Sequence, residues 1–179
     1  MNTATWVDPG YAKRLARQHE DMLRQPLELR TLRDLRASGY LLREQPGVKT
    51  GNGMKTGIRC WYLDPTTSAT GLGIFTVDFD ARSLRALRRS TLTPALIKIT
   101  RHAHERMFER MRTNSWAEIR NALRILSLLP RPELIAEEAD VETDHGTFHC
   151  VSEISESGRV ELELVWVAKT FIAPKGARQ

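Results

Sequence analysis

The last third of the chain constrains the fold most, because beyond Pro132 the sequence carries only strand patterns. Alternating apolar and polar residues predict a weak strand over residues 136–143, a better one over 146–154 and the strongest over 159–172. The sequence Ser-Glu-Ser-Gly at 155–158 predicts a hairpin turn between the last two strands. An antiparallel sheet is therefore expected at this end of the chain.

Two predicted helices precede these strands, and the second has a predicted N-terminal cap. A short strand over residues 95–99 leads into a predicted helix over 101–111, and Asn114 or Ser115 then caps a second helix over 116–128. An amphipathic helix must bury its apolar stripe against another element, and the following sheet offers that surface. This half of the chain therefore predicts helices packed on an antiparallel sheet.

The first half of the chain has weaker patterns. They predict, in order, amphipathic helices over residues 9–25 and 27–38, the two strands of a hairpin over 58–63 and 72–79, and a short basic helix over 81–89. The whole chain is therefore predicted to be α+β. We divide it into an N-terminal helical and hairpin segment, residues 1–90, whose role the sequence does not define, and an α+β domain, residues 91–179.

The charge balance predicts an anionic partner. The chain carries 27 Lys and Arg residues against 22 Asp and Glu residues, and arginine supplies most of the positive charge. Guanidinium groups favour planar, bidentate contacts to phosphate or carboxylate, so a nucleic acid is an expected partner.

Cysteine usage and the lack of apolar runs predict the compartment. Cys60 and Cys150 follow no metal-ligand spacing, which predicts structural thiols in a reducing compartment. The N-terminus lacks the pattern of a cleaved signal, and no apolar run approaches the roughly 18 residues of a spanning helix. We expect no membrane partner, and a protein that is cytoplasmic or is delivered into a target-cell cytoplasm without a cleaved signal peptide.

Two local sequence patterns in the first half of the chain could form ligand-binding sites. Residues 46–57 predict a flexible cationic loop, but Met54 rather than a lysine follows Gly53, so the spacing of a nucleotide-binding loop fails. A mobile loop that contacts substrate phosphate through Lys55 is the alternative. Asp78 and Asp80 could share a divalent cation, but no third ligand is nearby. We favour Asp80 as a helix cap and expect no metal site and no cofactor.

The helix predicted over residues 101–111 carries the residues best suited to chemistry. A step of about 100° per residue places His102, Arg106 and Arg110 in one polar sector. A neutral His102 imidazole could take a proton from a hydroxyl while the two arginines hold a phosphate. A salt-bridged solvent face is the alternative. His104 falls on the apolar side and is expected in the core.

The same helix carries a family resemblance. Residues 102–110, followed by Trp116-Ala-Glu-Ile-Arg-Asn-Ala-Leu123, resemble an uncharacterised bacterial domain family with an H-A-x-x-R-M-x-x-R signature and then an E-I-x-x-A-L helix. The resemblance covers about residues 96–172. It departs at 111–114, where Met-Arg-Thr-Asn replaces the usual R-G-I. Such domains are similar in layout to the RelE, barnase, EndoU and colicin-like group of ribonuclease toxins.

The resemblance implies a metal-independent ribonuclease of bacterial toxin or effector type, which cleaves RNA through a 2′,3′-cyclic phosphate. It implies His102 as base or acid, Arg106 and Arg110 as phosphate clamps, and Thr170 from the last strand. We expect further substrate contacts from the cations Lys169, Arg101, Lys98 and Lys55. The expected partners are RNA and a cognate inhibitor protein of immunity or antitoxin type. The alternative is a non-catalytic protein, either a basic nucleic-acid binder or an inhibitor or adaptor.

Overall fold

The structure, a computed structural model, describes residues 7–23, 30–50, 55–65, 71–87, 95–155 and 163–174. Its elements in chain order are α1 (Pro9–Leu23), α2 (Leu32–Ala37), β1 (Leu41–Thr50), β2 (Lys55–Pro65), β3 (Gly71–Asp80), β4 (Ile97–Thr100), α3 (Arg101–Met111), α4 (Trp116–Leu123), a 3-10 helix (Arg124–Leu128), β5 (Glu138–Thr143), β6 (Gly146–Ser155) and β7 (Glu163–Ile172). The predicted α+β class is confirmed.

The strands of the described residues form one sheet of seven, in the order β1-β2-β3-β4-β7-β6-β5. All neighbours are antiparallel except β4 and β7, which are parallel. Strands from both sides of residue 90 therefore share one sheet, joined where β3 pairs with β4. Gly71 makes this junction possible, because its φ is +132° and a Cβ there would meet the backbone carbonyl of Ile99.

Each face of the sheet buries a different apolar cluster. On the core face, α1, α3 and α4 pack over strand residues such as Leu63, Ile74 and Phe148. On the opposite face, which we call the outer face, α2 covers Tyr62 and other side chains of β1–β3. Because β2 is buried on both faces, its sequence reads as a nearly continuous apolar run. Cys60 and Cys150 are both free and buried, as is common for structural thiols.

Local capping explains where the helices of the second half begin. The Thr100 hydroxyl accepts a hydrogen bond from the backbone N–H of Ala103 at 3.1 Å, which starts α3 at the predicted residue. Ser115, one of the two predicted caps, accepts from the N–H of Glu118 and starts α4. The helix predicted over 116–128 is α-helical only as far as Leu123 and continues as the 3-10 helix.

Three predictions for the first half are corrected by the structure. Residues 46–50 and 55–57 of the predicted loop are strand, because β1 reaches Thr50 and β2 begins at Lys55, with a bulge at Gly47, whose φ is +77°; residues 51–54 lie outside the described part. The helix predicted over 27–38 begins only after Thr31, which forms a capping box with Asp34; residues 24–29 lie outside the described part.

The basic helix predicted over 81–89 is wrong over residues 81–87. Asp80 does accept hydrogen bonds from the backbone N–H groups of Arg82 and Ser83, but it caps a turn rather than a helix. Leu84 has a φ of +54°, and Arg85 and Ala86 then form bridges to Thr31 and Phe79. Tertiary pairing therefore overrides the local helix propensity here. Residues 88–90 lie outside the described part.

Candidate active site

The polar face of α3 is only partly free to bind a ligand. His102 and Arg110 are exposed. Arg106 donates to Glu109 at 2.7 Å within the same helix, so its guanidinium is partly neutralised. Such an ion pair is what the alternative interpretation, a salt-bridged solvent face, predicts for this helix.

Arg101 and His104 both contact Glu20 on α1. Arg101 makes hydrogen bonds of 2.6 and 3.0 Å to Glu20, which is almost completely buried. His104 is fully buried, as expected for a core residue, with its Nδ1 3.9 Å from Glu20. Burial raises the pKa of Glu20, but the contacts with His104 and Arg101 outweigh it, so the net pKa is lowered. This arrangement assigns Arg101 to the packing of α1 on α3.

Replacing Arg101 with alanine is expected to lower the free energy of unfolding by about 1–2 kcal/mol, because the buried Glu20 carboxylate loses its partner. Urea unfolding at pH 7.5 measures the change. The double variant with Glu20→Gln should recover part of the loss, since the unpaired charge is then gone. An equal loss in the single and double variants would contradict the assignment.

A bulge in β7 turns two predicted site residues away from the core. Ala168 and Phe171 both belong to the core cluster, and Lys169 and Thr170 lie between them on the outer face. The Thr100 hydroxyl donates to the Lys169 carbonyl at 3.0 Å, so the first turn of α3 lies beside this bulge. Lys169 forms a close ion pair with Glu153.

A histidine and an aspartate that sequence reasoning missed lie on the same outer face. His149 on β6 is the register partner of both Asp140 on β5 and Thr170 on β7. The Nδ1 of His149 is 2.9 Å from Asp140 Oδ1, and the His149 side chain is about one third exposed, at 35%. We call His149, Asp140, Thr170, Lys169 and Glu153 the outer-face cluster.

The geometry of this pair leaves one ring nitrogen of His149 available. An ionised carboxylate only accepts hydrogen bonds, so the contact with Asp140 requires the proton on Nδ1. Nε2 of a neutral ring then carries a lone pair that can accept a proton. A carboxylate in this position also orients the ring and stabilises the imidazolium that forms. The outer-face cluster can therefore perform general acid–base chemistry.

The other two predicted lysines lie at different distances from this cluster. Lys98 pairs with Val167 and lies between the core residues Ile97 and Ile99, so its side chain points to the outer face. Lys55 begins β2 at the end of the sheet opposite to Lys98. It lies roughly 25 Å along β2 from Leu63, which is at the end nearer to Lys98. The structure thus gathers Lys98, Lys169 and Thr170 on the outer face, apart from Arg106 and Arg110 on α3 and from Lys55.

The aspartate pair considered as a metal site is engaged elsewhere. Arg59 donates two hydrogen bonds to Asp78, at 2.8 and 2.9 Å, and Asp80 caps its turn. Among the described residues, no three His, Cys, Asp or Glu side chains are grouped so that they could hold a metal ion.

Comparison of the chain with known protein families, curated proteins and solved structures finds no match. The resemblance of residues 96–172 to a ribonuclease-toxin layout therefore rests on the sequence motif alone. Within the described ranges, no helix is long and apolar enough to cross a membrane.

Proposed function

We propose that this protein is a metal-independent endoribonuclease that leaves a 2′,3′-cyclic phosphate. The observation that carries the proposal is the His149–Asp140 pair, which lies in register with Thr170 on a partly exposed sheet face. A histidine oriented by a carboxylate, next to a hydroxyl and ammonium groups, supplies the parts that this reaction needs without a metal. The toxin or effector role and a cognate inhibitor belong to the same proposal and rest on the resemblance.

In the proposed reaction, the 2′-oxygen of a ribose forms a bond to the adjacent phosphorus as the bond to the 5′-oxygen breaks. Nε2 of His149 takes the proton of the 2′-hydroxyl, and Asp140 stabilises the resulting imidazolium. Lys98, Lys169 and the Thr170 hydroxyl face the developing negative charge on the phosphate oxygens. The departing 5′-oxygen takes its proton from water, which reaches this partly exposed face.

The second candidate function is non-catalytic binding of RNA or of a protein. Two ion pairs favour it: Arg106 is held by Glu109, and Lys169 is held by Glu153. Both reduce the positive charge that could stabilise a transition state on α3 and on the outer face, and non-catalytic binding does not need that charge at these positions.

Cleavage in the presence of a chelator separates the two candidates. The purified chain is incubated with mixed RNA and excess EDTA, and the 3′ ends of the products are analysed. Fragments that end in a cyclic phosphate support the ribonuclease. Intact RNA that is retained in a gel-shift experiment would contradict it and support the binder.

A further inference from the structure

We infer that a groove along the edge strand β1, between α2 and α4, binds phosphate groups. Three of its lining residues are arginines and none is acidic: Arg36, Leu41, Leu42, Arg120, Asn121 and Arg124. The groove measures about 240 Å³ and is open to solvent. It is smaller than the roughly 300–1,000 Å³ of pockets for drug-sized ligands, so it suits a small anion or a short length of phosphate backbone.

Arg43, next to this groove, is a cation whose bonding is incomplete. Its Cζ lies 3.6 Å from the centre of the Trp61 ring, and its Nε is buried with no hydrogen-bond partner among the described residues. Burial lowers the pKa of Arg43, and the positive charge of Arg124 lowers it further. Like charges that crowd a partly buried site raise the free energy of the empty groove, and a bound anion relieves this repulsion.

Two of the lining arginines are already held in position. Arg36 makes two hydrogen bonds of 2.7 Å to Glu44, and Nη1 of Arg120 donates to the carbonyl of Gly39 at 3.0 Å. A guanidinium has five N–H donors, so both residues keep donors for a ligand. Because their side chains are fixed in advance, binding costs less conformational entropy. Arg124 is exposed, and no ion pair joins it to another described residue.

The groove is distant from the outer-face cluster. In the strand order, β1 is five strands from β6, which carries His149, and this corresponds to roughly 24 Å across the sheet. The inference therefore does not depend on the proposed ribonuclease activity. The phosphate could belong to the backbone of an RNA strand or to a small phosphorylated molecule, and both present the same chemistry to the arginines.

Calorimetric titration with inorganic pyrophosphate tests the groove. We expect the full chain to bind pyrophosphate, and Arg124→Glu to weaken binding by about tenfold or more. Arg82→Glu is the matched control, because it changes the net charge equally at an exposed turn after β3; its effect should stay below about twofold. No binding by the parent, or equal weakening by both variants, would overturn the inference.

A second titration identifies the source of the phosphate. A fully 2′-O-methylated oligoribonucleotide is used, since it cannot be cleaved by its own 2′-hydroxyl. If Arg124→Glu weakens binding of both ligands, the groove binds RNA backbone; if it weakens only pyrophosphate binding, the groove binds a small phosphorylated molecule. If the parent binds pyrophosphate but leaves unmodified RNA intact in the cleavage experiment with EDTA, the ribonuclease proposal is overturned and the phosphate-binding groove is supported.

Discussion

Replacing His149 with alanine is expected to lower the rate of RNA cleavage by about 10³-fold and to leave the fold intact. A positioned general base contributes roughly 10²–10⁴-fold to the rate of such a proton transfer. Because the His149 side chain is partly exposed on the outer face, its truncation opens no cavity in the core. Initial rates of cyclic-phosphate formation in EDTA measure the effect, with circular dichroism as the check on folding.

Three further variants make this prediction specific. His145→Ala removes an exposed histidine from the turn of the same hairpin and should cleave as the parent does. Asp140→Asn should lower the rate by about 10²-fold or more, because an amide no longer stabilises the imidazolium. His102→Ala tests the residue predicted from the sequence. If His149→Ala cleaves at the parental rate and His102→Ala does not, the catalytic group lies on α3 and the assignment of the outer-face cluster is wrong.

The sequence predicts those parts of the fold whose signals are local. The bounds of α3 follow from a threonine cap and a clear apolar period, and the strands β5 to β7 follow from alternation. The parts of the fold that the sequence does not predict depend on partners elsewhere in the chain. Arg85 bridges to Thr31, and β1 is stabilised as a strand by β2 despite its Pro46-Gly47 pair. No window of a few residues contains that information.

The outer-face cluster could be predicted from the sequence only in part. Asp140 and His149 face each other because Asp144 and His145 form a two-residue turn, which fixes the register of β5 on β6. The predicted strands 136–143 and 146–154, joined by this turn, already place Asp140 opposite His149, so the sequence alone could have identified the pair. The bulge that turns both Lys169 and Thr170 to the outer face could not, because simple alternation would put them on opposite faces.

The contact between α1 and α3 is the clearest long-range feature that the sequence does not reveal. His19, Glu20 and His104 meet there, together with Trp116, although α1 and α3 are about 80 residues apart. The His19 ring lies 4.5 Å from the Trp116 ring, and its Nδ1 is buried with no partner among the described residues. A buried imidazole in an aromatic environment favours its neutral form. This contact therefore links the stability of the fold to pH.

The free energy of unfolding is expected to fall by about 2 kcal/mol between pH 7.5 and pH 5 because of His19. Burial, with the nearby charge of His104, lowers the pKa of His19 from 6.5 to about 4. In the unfolded chain His19 takes up a proton below pH 6.5, whereas in the folded chain it does so only near pH 4. Its contribution is therefore fully present above pH 6.5 and is lost as the pH falls toward 4. Urea unfolding at a series of pH values measures this slope.

His19→Phe should flatten the slope between pH 7.5 and pH 5, because phenylalanine keeps the ring packing against Phe108 and Trp116 without a titrating group. The exposed His145, replaced with glutamine, serves as the control and should keep the parental slope. Glu20 cannot produce the same effect in this range: its pKa is lowered, so its contribution is lost only below the ordinary carboxyl pKa. A parental slope in His19→Phe would show that another group carries the pH dependence.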